Sequence, residues 1–276
     1  MHVVCVGLAT LDTIFAVPHH PEPDGRVVAT ELAVAGGGPA ATAAVTLARL
    51  GVETYFVGAV GDDDVGADVR AGLEREDVDV SELALVPGTR SPRSTILVSG
   101  AERSIVHFPG SLPRLELTTP ARELCDGAAW VHVDHVGFGP VQGLTRARVS
   151  VDGGNPIDGL DLSGVALYAP PESELPDPQA ALAAGAELVV VTRGAAGSVA
   201  YLGNGEVMET PGFPTDAVST LGAGDVFHGA LVAFLARGAE LRDSLEAANR
   251  AAALSCRALD GRSAIPTLDE LERSAA

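Results

Sequence analysis

The sequence predicts an α/β fold, a three-layer α/β/α sandwich with a small β-sheet lid. Short runs of continuously apolar residues at 2–7, 52–58, 129–134, 149–152, 165–168 and 188–192 alternate with segments of helical character. Strands that are apolar on both sides belong in a central sheet covered by helices on each face. Two other segments, 13–35 and 90–108, hold β-rich runs with no helix between the members of each set, the pattern of a small projecting sheet. At 276 residues, 46% of them hydrophobic, the chain has material for one such domain, 1–276, with the lid strands as an appendage.

Along the chain, the first strand ends at Gly7, and Asp12 follows where its carboxyl end opens. That is a usual place for ligand contacts in open α/β sheets, with a turn aspartate as the alternative. The lid runs are 27–34 in the first segment and 94–99 with 103–108 in the second. Gly36, Gly37 and Gly38 precede Pro39 and an alanine-rich helix that ends at Gly51. The glycines permit unusual backbone and Pro39 suits a first helical position. The Gly-x-Gly-x-x-Gly spacing of a dinucleotide site is missing after the first strand. A strand at 52–58 leads through a turn bearing Asp62, Asp63 and Asp64 to a helix at 67–76. The triplet reads as a solvated turn capping that helix, with a metal site as the alternative. Later strands are separated by helices such as 178–185, the glycine turn 194–197 follows the strand at 188–192, and a last helix covers 241–257.

Charge excludes whole classes of partner. Eighteen basic against 37 acidic residues give −19, and none of the basic residues is Lys. So acidic a surface repels polyanions, so neither nucleic acid nor an anionic membrane is an expected partner. High-salt adaptation produces this composition, and a GC-rich genome also exchanges Lys for Arg. No apolar run approaches the ~20 residues of a membrane span. The start reads as a strand without a basic leader, so the expectation is a cytoplasmic protein. Cys5, Cys125 and Cys256 are odd in number, far apart and in apolar surroundings, as free buried thiols would be.

The densest chemistry lies at 218–238. Small residues stop at Asp225, and Phe227, Leu231, Phe234 and Leu235 then recur at helical spacing, so a helix opens near Ala223. Its first N–H groups lack intrahelical acceptors, and the aligned peptide dipoles leave partial positive charge there. Phosphate oxygens are therefore favoured at Gly222, Ala223 and Gly224. Asp225, among those donors, can take a proton from an attacking hydroxyl while the amides stabilise charge on the transferred group. The pairing points to phosphoryl transfer to an alcohol. Alone, Gly-x-Gly-Asp before a helix serves equally as a tight turn with an N-terminal acidic residue.

The stretch VSTLGAGDVFHGALVAFL is similar to the C-terminal signature of the ribokinase-like (pfkB) carbohydrate kinases. Gly36 to Gly51, the turn at 60–66 and the segment 78–80 fall in the order and spacing of that family's first half, and the resemblance covers nearly the whole chain. GGGPAATAAV, VGDDD and GAGDVFHGAL resemble its sulfofructose kinase branch; Val3, Cys5, Gly7 and Asp12, the run 103–107 and STLGAGD resemble its ketohexokinase branch. Both branches phosphorylate ketoses at O1.

This resemblance implies ATP with Mg²⁺ as phosphoryl donor and a small sugar, a ketose at its primary hydroxyl, as acceptor. It implies Asp225 as catalytic base, Gly222, Ala223 and Gly224 as anion hole, and Arg103 as a phosphate ligand. Thr192, Gly194 and Gly197 fall in the nucleotide half, with Asn249 beside the base. Asp12, Asp24, Gly37 and Gly38 take the positions of sugar contacts. The chain also departs from the family. In the family's Pro-Asn-x-x-Glu motif the Asn is Pro171 here, while Glu174 keeps its place to order Mg²⁺ through water. The Asp that helps hold a monovalent cation is Ser219. Two Asn positions in the glycine segment are Pro39 and Thr42, which removes paired contacts to hydroxyls. Arg26, His107 and His135 align with anion-recognising residues of the sulfofructose branch; only Arg26 keeps the positive charge, and an anionic head group stays open. A nucleoside or 2-keto-3-deoxygluconate as acceptor, and a sugar-binding regulator without turnover, also stay open. Lid-mediated dimers are common in the family, so a homodimer through the lid is a further expectation.

Overall fold

The computed structural model describes residues 1–100, 102–175 and 177–274. Ala101, inside the expected lid segment, lies outside them. In chain order the strands are β1 (His2–Val6), β2 (Thr10–Ala16), β3 (Glu31–Gly37), β4 (Glu53–Gly61), β5 (Leu83–Val86), β6 (Arg93–Ser99), β7 (Glu102–Phe108), β8 (Trp130–Val133), β9 (Arg148–Asp152), β10 (Val165–Ala169), β11 (Leu188–Thr192), β12 (Ser198–Leu202) and β13 (Val207–Thr210). The helices are α1 (Pro39–Arg49), α2 (Asp64–Glu74), α3 (Thr119–Gly127), α4 (Phe138–Val141), α5 (Pro178–Ala183), α6 (Ala223–Ala236), α7 (Leu241–Ser255) and α8 (Leu268–Arg273).

Nine strands form the main sheet in the order β13-β12-β11-β10-β9-β8-β1-β4-β5. Its neighbours run parallel except at β12, which is antiparallel to both β11 and β13. Alternation along β1 produces the three layers. Val3 and Cys5 enter one apolar cluster, with Ala44 of α1, Leu231 of α6 and Leu245 of α7. Val4 and Val6 enter a second, with Cys125 of α3 and Ala181 of α5. Because successive side chains point to opposite faces and both faces are covered, the strand must be apolar at every position.

The two most deeply buried helices touch almost backbone to backbone. Gly229 of α6 packs on α1, where a Cβ would stand 2.6 Å from the Ala43 carbonyl oxygen and 2.7 Å from Thr46 Cβ. That approach seats α6 deeply, with residues 226–233 buried, and fixes where its amino end points.

The second sheet has four strands in the order β3-β2-β6-β7. Its own apolar patch joins Ile14, Ile96 and Val98 to Leu259. The sheet begins earlier than the expected segment 13–35, because β2 starts at Thr10 and pairs at once with Gly37 of β3. Asp12 is therefore on this small sheet, not at the carboxyl end of β1. The first lid run is displaced too: β3 covers Glu31–Gly37, and 27–30 precede it. The helix expected at 67–76 starts at Asp64. Asp63 caps it by accepting from the Gly66 N–H at 2.9 Å, so the acidic triplet contains a cap. The last expected helix ends at Ser255, and α8 follows it. Strands β5, β12 and β13 and helices α3, α4 and α8 carried no clear periodic signal. In α3, for instance, only Ala121 and Cys125 are buried. All three cysteines are free and buried. Among the described residues no helix is long and apolar enough to cross a membrane.

Gly229→Val forces extra volume into the α1–α6 contact and is expected to cost about 1–3 kcal/mol of stability in urea unfolding. An unchanged midpoint would contradict this packing.

Candidate active site

A cavity of about 470 Å³ opens between the small sheet and the strand ends and helix starts beneath it. Strand register supplies its roof. Asp12 on β2 lies opposite Ser94 on β6, and Ser94 opposite His107 on β7. The three share one face of the sheet, as does Arg103, four residues before His107. All four line the cavity. Thr10 Oγ1 donates to Asp12 at 2.8 Å. Burial raises the Asp12 carboxyl above its ordinary range, against hydrogen bonds from Thr10 and Ser94 and the charges of Arg262 and His107. Burial lowers His107, although Asp12 pulls the other way. His135, in the loop after β8, joins the lining with its buried Nδ1 unpartnered.

The glycine wall, Gly36 to Gly38, is held by a residue that sequence reasoning missed. Arg262, 7% exposed, donates through Nη2 to the Gly37 carbonyl at 2.8 Å and through Nε to Thr42 Oγ1 at 3.2 Å. Its Nη1 occupies the space a side chain at Gly36 would need, so the guanidinium, not backbone strain, requires glycine there. Burial lowers its pKa to about 10. The only signal was a single basic residue in the closing GRSAIP. Asp134 was missed as well. Its buried carboxylate accepts from the N–H groups of Leu8 (2.8 Å), Ala40 (3.2 Å), Val136 (2.8 Å) and Gly137 (3.0 Å), tying the exit of β1, the start of α1 and the loop after β8 together.

The floor is the amino end of α6. Gly222 has φ 73, in the left-handed region that favours glycine, and Gly261 packs against it. The Ala223 N–H is tied to the Thr220 carbonyl at 3.3 Å. Those of Gly224 and Asp225 have no acceptor among the described residues, so they are the donors a bound anion meets. Arg103 Nη1 reaches Thr220 Oγ1 at 2.9 Å, linking the small sheet to this loop. Asp225 is half-buried and faces the cavity. Withdrawal from water, and then the charge of Asp152, push its carboxyl up to about 7, while His228 opposes them. His228 lies one turn further along α6, with Nδ1 3.2 Å from Asp152 Oδ2. Burial acts against both charges, yet their attraction prevails: Asp152 stays below its ordinary range and His228 above it.

A second cavity, about 450 Å³, has Gly194, Gly197, Phe213 and Asn249 in its wall, and it shares Thr192, Thr220 and Gly224 with the first. Ala223 faces only the second. Asn249 is less free than expected: its Nδ2 lies 3.1–3.3 Å from Ser198 Oγ and the carbonyls of Thr210 and Pro211, so its N–H donors bind α7 to the sheet edge. Three expected residues line neither cavity. Asp24 and Arg26 sit in the exposed loop between β2 and β3, where Pro18, Pro21 and Pro23 remove ladder donors. Glu174 is exposed in a single 3-10 turn, Glu172–Glu174, just past Pro171, which does reach the first cavity.

A profile of the pfkB family carbohydrate kinases matches residues 1–138 and 165–268. The chain is 31% identical to a fructokinase from Klebsiella pneumoniae over 92% of its own length and 94% of the relative's. It is 30% identical to an ATP-dependent ribose-1-phosphate kinase from Halopiger xanaduensis, over 98% and 96%. A ribokinase structure from Thermotoga maritima matches with a TM-score of 0.85 at 24% identity, covering 99% of this chain and 98% of that one, a likeness of fold.

The Asp225 shift has a consequence for stability. Its folded pKa, about 7, lies above the ordinary 3.8, so the folded state holds the proton more tightly. That contribution is complete below about pH 4 and is lost as pH rises through about 7. Asp225→Asn is therefore expected to match wild type near pH 4 and to exceed it in denaturant midpoint above pH 7. A difference that does not change with pH would contradict the shift.

Proposed function

The chain belongs to the pfkB family of carbohydrate kinases, ATP-dependent enzymes that use Mg²⁺, and we propose that it phosphorylates the primary hydroxyl of a small sugar, a ketose at O1. One observation carries this reading: Gly224, whose N–H is unpaired, lines two cavities, one roofed by polar side chains and one walled by glycines and apolar residues, and Asp225 beside it faces the first. In it the acceptor sugar lies under the small sheet, with hydroxyls on Asp12 and on the wall of Gly37, Gly38 and Thr42. The nucleotide lies in the second cavity, whose size and apolar wall suit an adenosine. Thr192, Thr220 and Gly224 line both cavities, and Arg103 and Gly222 line the first beside them.

Asp225 accepts the hydroxyl proton as the oxygen attacks, and a carboxyl with a pKa near the working pH is suited to that task. The Gly224 and Asp225 amides face the charge on the transferred group, already oriented by the helix. Magnesium bound with ATP neutralises phosphate charge. Glu174, one turn past the cavity wall, would reach that ion only through water. Closure of the small sheet over the sugar excludes water that would otherwise compete as acceptor.

A second reading, an acceptor that already carries an anionic group, is favoured by His107, His135 and Arg103 around one cavity and by the likeness to a ribose-1-phosphate kinase. A nucleoside is a third. The free, buried cysteines suit a reducing cytoplasm. A homodimer through the small sheet is supported by its outer face, where Leu32, Val34, Val106 and Phe108 are exposed.

The test is ATP consumption with Mg²⁺ against fructose, sulfofructose, ribose, ribose 1-phosphate, 2-keto-3-deoxygluconate and adenosine. The expected result is turnover of one ketose, with the product phosphorylated at O1 and kcat reduced about 10²–10⁴-fold in Asp225→Asn. Turnover confined to ribose 1-phosphate or adenosine would move the proposal to the second or third reading. Sugar binding without turnover of any acceptor would replace the kinase with a regulator.

A further inference from the structure

Beneath the cavity floor, His228 meets two side chains from neighbouring strands, Asp152 at the end of β9 and His132 on β8. One ligand atom of each lies within 4.8 Å of the others. The cluster is almost fully buried, with His132 0%, Asp152 4% and His228 4% exposed. In each, one polar atom already has a protein partner. His132 Nδ1 is 3.2 Å from Ser150 Oγ, Asp152 Oδ1 accepts from the Gly154 N–H at 2.7 Å, and the Ala169 carbonyl accepts from His228. One atom of each remains. His132 Nε2 has no hydrogen-bond partner, and His228 Nδ1 faces Asp152 Oδ2 at 3.2 Å as a charge contact. Buried polar atoms are normally satisfied, so an unpartnered imidazole nitrogen beside a second imidazole and a carboxylate requires an explanation.

We propose that His132, Asp152 and His228 form a binding site for a divalent transition-metal ion of the Zn²⁺ type, with its remaining coordination position turned toward the sugar cavity. The donor set decides the class of ion. Two imidazoles and a carboxylate suit zinc and its neighbours, whereas Mg²⁺ prefers oxygen ligands and retains its waters. The partners on the far atoms are those that orient metal-binding side chains. Asp152 and His228 line the cavity and His132 does not, so an ion held by all three lies in the cavity wall with room for water or a substrate oxygen. Asp225 adds negative potential to His228 when ionised. Binding draws the three ligand atoms inward and displaces any proton held on them. The site is separate from the magnesium that accompanies ATP and stands whether or not the protein transfers phosphoryl groups.

The test is a Co²⁺ titration of chelator-stripped protein, followed by visible absorption and by proton release in weak buffer. The expected result is one Co²⁺ per chain, displaced by an equivalent of Zn²⁺ and unaffected by Mg²⁺ at millimolar concentration. His132→Asn keeps a polar group toward Ser150, and His228→Gln keeps a donor toward Ala169. Each is expected to weaken binding at least about tenfold, while His19→Ala on the surface leaves it unchanged. Circular dichroism establishes that the variants are folded. Should neither be, X-ray absorption at the zinc edge of the wild-type protein provides the second readout, with two imidazoles and a carboxylate oxygen expected. Absence of stoichiometric binding, displacement by Mg²⁺, binding that survives in both folded variants, or an edge spectrum without two imidazoles would overturn the proposal.

Discussion

A carboxyl group held half out of water at the amino end of a buried helix is the constraint on which the rest of the structure depends. Asp225 has lost much of its solvation, while the amides beside it are fixed by α6. That arrangement persists only if the helix cannot slide. Gly229 lets α6 approach α1 almost to backbone contact, and Gly261 packs against Gly222 at its start. A helix seated this way offers its first N–H groups in a set position with no side chain covering them, as transition-state stabilisation requires. The same seating opposes Asp225 ionisation, so part of the chain's stability is given up at the site.

Two polar devices hold the walls around that helix. Asp134 gathers four backbone N–H groups from three segments, and Arg262 braces the glycine wall from behind. Asp134 is satisfied by backbone N–H groups, and Arg262 by one backbone carbonyl and one hydroxyl, so each buried side chain acts as a rigid support. The small sheet adds the remaining wall. Asp12, Ser94 and His107 stand in one cross-strand row, and a one-residue slip of β6 would turn Ser94 out of it and away from the cavity. Arg103, bonded to Thr220, couples the position of this sheet to the loop that leads into α6.

Much of this was legible in the sequence, and the exceptions have physical causes. Continuous apolar runs marked β1, β8, β10 and β11 because both faces of the sheet are covered. The glycine-rich entry to α6 marked the helix end whose Gly224 and Asp225 N–H groups are left without acceptors, because small residues leave those groups uncovered. Asp12 was singled out and does line the first cavity, but from the small sheet and not the end of β1, since a two-sheet junction at 7–10 has no signature beyond a glycine. Arg262, Asp134 and Asp152 were passed over because their roles come from partners far away in sequence; Arg262 meets Gly37 across 225 positions. Asp24, Arg26 and Glu174 show the reverse limit. An aligned position in a loop carries its residue type without its placement, and here proline-rich or single-turn backbone leaves all three exposed.

The protonation of Asp225 in the working enzyme is measured by the pH dependence of kcat/KM with the preferred acceptor. If the half-buried carboxyl is the base, kcat/KM falls tenfold per unit as pH drops below a midpoint near 7, the value set by its withdrawal from water and by Asp152. A profile that stays flat down to the ordinary carboxylate range near 3.8 would contradict the claim.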